Sequence, residues 1–191
     1  GPGGICMWGH KNVKCKIAGQ LSRLSKEAFK QAFQEAISYW NAVCGINLTM
    51  TDGNDGNIVV GTGNIDGQNG TLAWSELPCG NQNQLNQKYD DSESWIISAT
   101  PRNGLDIVRV IAHEVGHALG LPHLASGNLM QPTYDPNIRK PQAGDIQEVK
   151  RRYGNPTAPV PPPVPPPVPD PGTPSSPVDP TKSCAKILSD L

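Results

Sequence analysis

Apolar side chains recur with a helical period in two long stretches of the chain and with a strand period in several short ones. After Ser25, the residues Ala28, Phe29, Ala32, Phe33, Ala36, Ile37 and Trp40 fall three and four apart. They predict one wide apolar helix face running to Val43, with Ser25 as the N-cap. Ile107, Val108, Ile111, Ala112, Val115 and Leu119 predict a second helix over residues 107–119. Gly120 suits the left-handed residue that closes a helix, and Pro122 prevents its continuation. Strands are expected at 13–17, where apolar residues alternate with lysines, and at 46–51, 57–62, 71–77 and 95–99. The stretch 71–77 reads as a sheet edge. A short helix over 145–153 closes the series. Strands and helices are partly segregated, so the fold class is α/β (α+β mixed): a five-stranded mixed twisted sheet, two long helices and a short C-terminal helix.

Composition divides the chain. The first 154 or so of its 191 residues suffice for one hydrophobic core. Residues 1–11 form an N-terminal segment, 12–154 the folded unit and 155–191 a tail. Residues 156–180 hold 13 of the 20 prolines and, valine apart, almost no large apolar side chain. That composition predicts extended polyproline II. It fits a semi-rigid linker to a further domain or a surface anchor. Its P-x-x-P units also fit SH3-like grooves, but no basic residue flanks them.

A net charge of −1 argues against nucleic acid as partner, and no apolar run approaches membrane-spanning length. Gly1-Pro2 reads as the scar of a processing protease on a recombinant chain, with the native N-terminus and any signal peptide missing. Five cysteines (Cys6, Cys15, Cys44, Cys79 and Cys184) suit an exported protein, and the odd count leaves at least one thiol unpaired. Their pairing is open. Cys184, on its long tether, could silence a metal site with its thiolate, or could pair with Cys6 or Cys15, or stay unpaired; the last two are the commoner fates. Asn47-Leu48-Thr49 and Asn69-Gly70-Thr71 are glycosylation sequons.

The chemistry concentrates in the second helix. Three of the four histidines lie in His113-Glu114-Val115-Gly116-His117-Ala118-Leu119-Gly120-Leu121-Pro122-His123. His113 and His117, four residues apart, point two imidazoles from one helix face. The turn at Gly120 brings His123 round as a third ligand. Three imidazoles leave the fourth tetrahedral place of a zinc ion open, which marks a catalytic rather than a structural metal. Glu114 sits beside the metal, where a carboxylate can take a proton from water at the zinc and pass it to a leaving amine.

A histidine after the glycine, with a downstream methionine, is the metzincin form of this motif, and Leu129-Met130-Gln131-Pro132-Thr133-Tyr134 supplies the Met-turn. Residues 12–154 resemble the catalytic domain of the matrixins, the matrix metalloproteinase family. The match extends to Asp66-Gly67-Gln68-Asn69-Gly70-Thr71-Leu72-Ala73, to Asp90-Asp91-Ser92-Glu93-Ser94-Trp95 and to the last helix up to Tyr153-Gly154. The family's latency motif P-R-C-G-x-P-D does not occur in these 191 residues.

The resemblance implies a metzincin fold with a zinc cleft. It implies a calcium ion held by the carboxylates of Asp66, Asp90 and Glu93 and the carbonyls of Gly67, Asn69 and Thr71. A turn rich in Asp, Asn and Gly would need no ion. It implies substrate pairing along Leu72 and Ala73 at an exposed edge. It also implies an apolar pocket, for the residue after the cut, beside His113, Pro132, Tyr134 and residues 135–141. Leu124 stands where matrixins usually carry serine. Trp74 and Lys88 stand where the family's structural zinc takes histidines, so the reading is one zinc. Asp145 would either anchor the Met-turn or serve as N-cap of the last helix.

Two classes of function follow: a secreted zinc endopeptidase acting on extended polypeptides, or a non-catalytic or latent binding module on the same scaffold. Retention of Glu114 favours the enzyme, because binding alone does not need that carboxylate.

Overall fold

The computed structural model describes residues 5–80, 82–157 and 164. Gly1-Pro2, Cys184 and nearly all of the proline-rich stretch lie outside the described residues. Strands β1 (Asn12–Ile17), β2 (Asn47–Met50), β3 (Ile58–Gly63), β4 (Ala73–Ser75) and β5 (Leu85–Asp90) form a sheet in the order β2-β1-β3-β5-β4. The β1–β2, β1–β3 and β3–β5 pairs are parallel, whereas β4 runs antiparallel to β5 at the edge.

The expected α/β class and the mixed five-stranded sheet stand, but one strand does not. The stretch 95–99 is not the fifth strand. Only β6 (Trp95–Ile96) is extended there, and it pairs with β7 (Leu105–Asp106) in a separate ladder. The fifth strand is β5. It went unseen because Leu-Asn-Gln-Lys-Tyr-Asp is mostly polar; two of its inward residues, Gln87 and Tyr89, satisfy each other. The Tyr89 hydroxyl donates to Gln87 Oε1 at 2.9 Å, and Gln87 Nε2 donates to Ser75 Oγ at 3.2 Å. A buried polar group held in this way costs little.

The helix α1 (Lys26–Asn41) starts as expected, with Ser25 Oγ accepting from the Ala28 amide at 3.1 Å. It stops two residues before Val43. There the Asn41 side chain turns to β2, donating to Leu48 O at 3.0 Å and accepting from Leu48 N at 2.8 Å. Phe29 stands edge-on to Tyr89 of β5, at 5.9 Å between ring centroids, so the helix packs directly on the sheet.

The helix α2 (Ile107–Ala118) is buried along its whole length. Asp106 caps it, and Trp40 of α1 donates its indole N–H to Ala112 O at 2.9 Å. The last helix, α3 (Ala143–Tyr153), opens with a capping box between Gln142 and Asp145. Cys6 and Cys79 form a disulfide, and Cys15 and Cys44 are buried thiols. The Cys6–Cys79 bond excludes the pairing of Cys184 with Cys6.

Candidate metal centre

Two segments bring three histidines to one point. His113 and His117 come from α2, and His123 follows the turn at Gly120, whose φ of +105° few residues but glycine adopt readily. One ligand atom from each histidine lies within 4.8 Å of the others. The ring centroids stand 4.8, 5.4 and 4.9 Å apart for the pairs 113–117, 113–123 and 117–123. Among the described residues this is the one group of three or more His, Cys, Asp or Glu side chains that could hold an ion together.

Main-chain carbonyls set the tautomers. His113 Nδ1 lies 2.8 Å from Leu129 O, and His117 Nδ1 lies 2.7 Å from Leu121 O. A carbonyl only accepts, so each Nδ1 carries the proton and each Nε2 keeps its lone pair for a metal. His113 Nε2 is buried with no hydrogen-bond partner. Burial, followed by the charge of His117, holds the His113 pKa well below 6.5, so the ring is neutral at neutral pH. A buried imidazole lone pair with no donor beside it fits a zinc ion.

Met130 is fully buried and lies against Gly116 of α2. A Cβ at Gly116 would meet its sulfur at 2.3 Å, so glycine inside the motif lets the Met-turn press against α2. Asp145 fixes that turn. Its carboxylate accepts from Leu129 N at 2.7 Å and from Met130 N at 3.0 Å, and Leu129 is the residue whose carbonyl orients His113. Asp145 thus anchors the Met-turn and stands as the third residue of α3, while Gln142 occupies the N-cap.

Glu114 is fully buried, and its charge helps raise the pKa of Tyr89 after burial itself. Leu72 and Ala73 are buried at the start of the edge strand, and Pro132 is exposed. The Tyr134 hydroxyl accepts from Asp106 N at 3.0 Å.

The acidic loop also assembles. Asp66 Oδ2 accepts from Thr71 N at 2.8 Å, and Glu93 Oε1 accepts from Asn69 N at 2.9 Å. Asp90 accepts from Ser92 N at 2.9 Å and from Asp66 N at 3.3 Å. Trp74 and Lys88 face each other across the β4–β5 ladder, and neither an indole nor an ammonium is a metal donor.

Sequence reasoning missed several groups. Leu121 O and Leu129 O leave no mark in a sequence, because every residue has a carbonyl. Arg139 joins Asp106, the cap of α2, to Glu35 of α1, at 2.7 and 3.2 Å. Arg109 had a visible signal, as a cation inside an apolar helical run. Its guanidinium lies 4.2 Å from the centre of the Tyr134 ring, its Nε donates to Ile138 O, and burial lowers its pKa to about 10.

The same scaffold is found among known proteins. The matrixin family pattern matches residues 7–154. The chain belongs to the matrixin family. It is 31% identical over 166 residues to matrix metalloproteinase-26 of Homo sapiens, covering 79% of this chain and 61% of that protein. It is 30% identical over 174 residues to interstitial collagenase of Bos taurus, covering 84% of this chain and 36% of that protein. It is 30% identical over 166 residues to stromelysin-3 of Xenopus laevis, covering 81% and 34%. The chain therefore spans between about a third and three fifths of these relatives. Family membership and the histidine cluster together imply a zinc site. No helix among the described residues is long and apolar enough to cross a membrane.

Proposed function

We propose that the chain carries the catalytic domain of a secreted zinc-dependent metalloendopeptidase that cleaves extended polypeptides. The observation that carries this reading is Glu114, wholly buried one residue from His113, beside three histidines whose ligand atoms lie within 4.8 Å. His113, His117 and His123 would hold the zinc, which when bound supplies Lewis-acid polarisation of a carbonyl and of water. Glu114 takes the proton of the attacking water and returns it to the leaving amine. The fixed Nδ1 partners Leu121 O and Leu129 O keep both helical imidazoles aimed while this happens.

Substrate would pair as an added strand along the free edge of β4, beside Leu72 and Ala73. Tyr134 and Pro132 would wall an apolar pocket for the side chain after the cut, with Met130 as a hydrophobic floor under the zinc. Calcium would bind the loop of Asp66, Gly67, Asn69, Thr71, Asp90 and Glu93, since hard oxygen donors suit that ion. Residues 155–191 would tether this unit to a further domain or a surface.

The test is cleavage of a peptide library by the zinc-loaded chain. A zinc chelator should abolish cutting, and Glu114→Ala should lower kcat by about 10³-fold while zinc stays bound. A zinc-loaded chain that cuts no peptide or protein would defeat the proposal.

A further inference from the structure

The turn that joins the second and third histidines is held from outside by the N-terminal segment. Where α2 ends, its last carbonyls have no partner within the helix. Trp8, only 3% exposed, donates its indole N–H to Ala118 O at 2.8 Å. The Tyr153 hydroxyl donates to Leu119 O at 2.7 Å and accepts from Trp8 N at 3.1 Å. Leu121 O is taken by His117 at 2.7 Å. The main chain of Cys6 lies directly on Gly120: a Cβ there would stand 1.9 Å from Cys6 O, which also accepts from Arg152 Nε at 3.1 Å. The other end of this strap is covalent. Cys6 is bonded to Cys79, four residues past the end of the edge strand β4.

We propose that the disulfide-anchored strap, residues 5–10, is a positioning element for the metal centre. It fixes the turn 119–122 and so sets His123 against His117. Retention of the ion then depends on the Cys6–Cys79 bond, although neither cysteine is a ligand. The physical reason is continuity. The turn is four residues long, it begins two residues after His117 and ends one before His123, and its groups are held by Trp8, Tyr153 and Cys6. Releasing Cys6 frees Gly120 to sample other conformations, and His123 moves with it. This inference rests on the zinc reading above.

The experiment measures zinc loss from the full chain to a chromophoric chelator, and the gap in melting temperature between zinc-loaded and zinc-free protein. The paired change Cys6→Ser and Cys79→Ser should speed zinc loss by about tenfold, the usual scale for groups that orient metal ligands. It should also narrow the gap, because the gap reports metal affinity for the folded state. Arg152→Met, which keeps the disulfide but removes the bond to Cys6 O, should act in the same direction more weakly, and it serves if the paired variant does not fold.

Treatment with a phosphine should reproduce the effect. The S–S bond takes two electrons from phosphorus, the sulfurs become thiols with protons from water, and the phosphine leaves as its oxide with the water oxygen. Leu48→Ala, on the far edge of the sheet, should lower both melting temperatures and leave the gap intact. If loss of the disulfide also lowers both temperatures equally, with the rate of zinc loss unchanged, the bond only stabilises the fold and the proposal is overturned. A wild-type chain that binds no zinc would instead defeat the metal reading.

Discussion

The histidine centre and the acidic loop are both written in the sequence as metal-ligand residues at fixed spacing, yet they are built on opposite plans. In the histidine centre each helical ligand uses one ring nitrogen to grip a carbonyl from another segment, Leu129 O or Leu121 O. The second nitrogen is left to face the cluster. In the acidic loop the carboxylates grip their own loop: Asp66 holds Thr71, Glu93 holds Asn69, and Asp90 holds Ser92 and Asp66. Both sets are pre-organised. The histidines are organised around a place for an ion, whereas the carboxylates already hold their loop in shape. A carboxylate has about four lone-pair sites, so it can hold an amide and still offer oxygen to calcium. The difference is one of necessity: the first region buries the His113 Nε2 lone pair with no hydrogen-bond partner, a place that suits a metal, and the second is a stable turn that an ion would reinforce.

Independent regions should fail independently, and the largest effect belongs to the histidines. His117→Ala should reduce bound zinc from one per chain to none by native mass spectrometry, with activity lost alongside. The calcium response of the acidic loop should survive. Next comes Asp90→Ala, which removes the acceptor of two part-buried amides and of the Ser92 hydroxyl. Water reaches such groups in part, so each lost bond costs nearer the net contribution of a hydrogen bond, and a loss of about 2 kcal/mol in urea unfolding is expected. Zinc content should stay at one. If Asp90→Ala also empties the zinc site, the two regions are one unit and the contrast between them is wrong.

What could be read from the sequence follows the same divide. Side chains that act through their own chemistry were legible: His113, His117 and His123 bring their ligand atoms within 4.8 Å of one another, as their spacing implied. The helices were legible because Phe29, Phe33 and Trp40, or Ile111 and Val115, repeat with the helix period. Strand β5 was not, because its inward positions include Gln87, whose polarity is satisfied by Tyr89 and Ser75 rather than by solvent. The supports of the site were also hidden. Leu129 O and Leu121 O are backbone atoms, and the strap from Cys6 to Trp8 reaches α2 across more than a hundred residues of chain. Asp145 could be read in two ways, and only its contacts with Leu129 and Met130 decide between them.

Calcium sharpens the contrast further. If the acidic loop takes the ion, adding calcium at 100 times its Kd should raise unfolding free energy by about 2.7 kcal/mol. Glu93→Gln should weaken that response. A melting curve that ignores millimolar calcium would make the loop a turn without an ion.

The smallest effect is a pH slope, and it should take opposite signs in the two regions. Asp145, behind the histidine centre, has its pKa raised: burial outweighs the amides of Gln142, Leu129 and Met130. Asp90, in the acidic loop, has its pKa lowered: burial pushes upward, but the hydroxyl and amide of Ser92 and the amide of Asp66 prevail. A raised folded pKa means that the native state holds the proton more tightly. The contribution of Asp145 is therefore present below 3.8, its ordinary value, and fades as pH rises through the folded value. That of Asp90 is present above 3.8 and fades as pH falls through its lower folded value. The stability difference between the native chain and Asp145→Asn should thus shrink as pH rises above 3.8, while the difference from Asp90→Asn should grow as pH rises toward 3.8. A difference for Asp145→Asn that grows with pH would mean that the three amides outweigh burial, and that the carboxylate under the Met-turn follows the plan of the acidic loop.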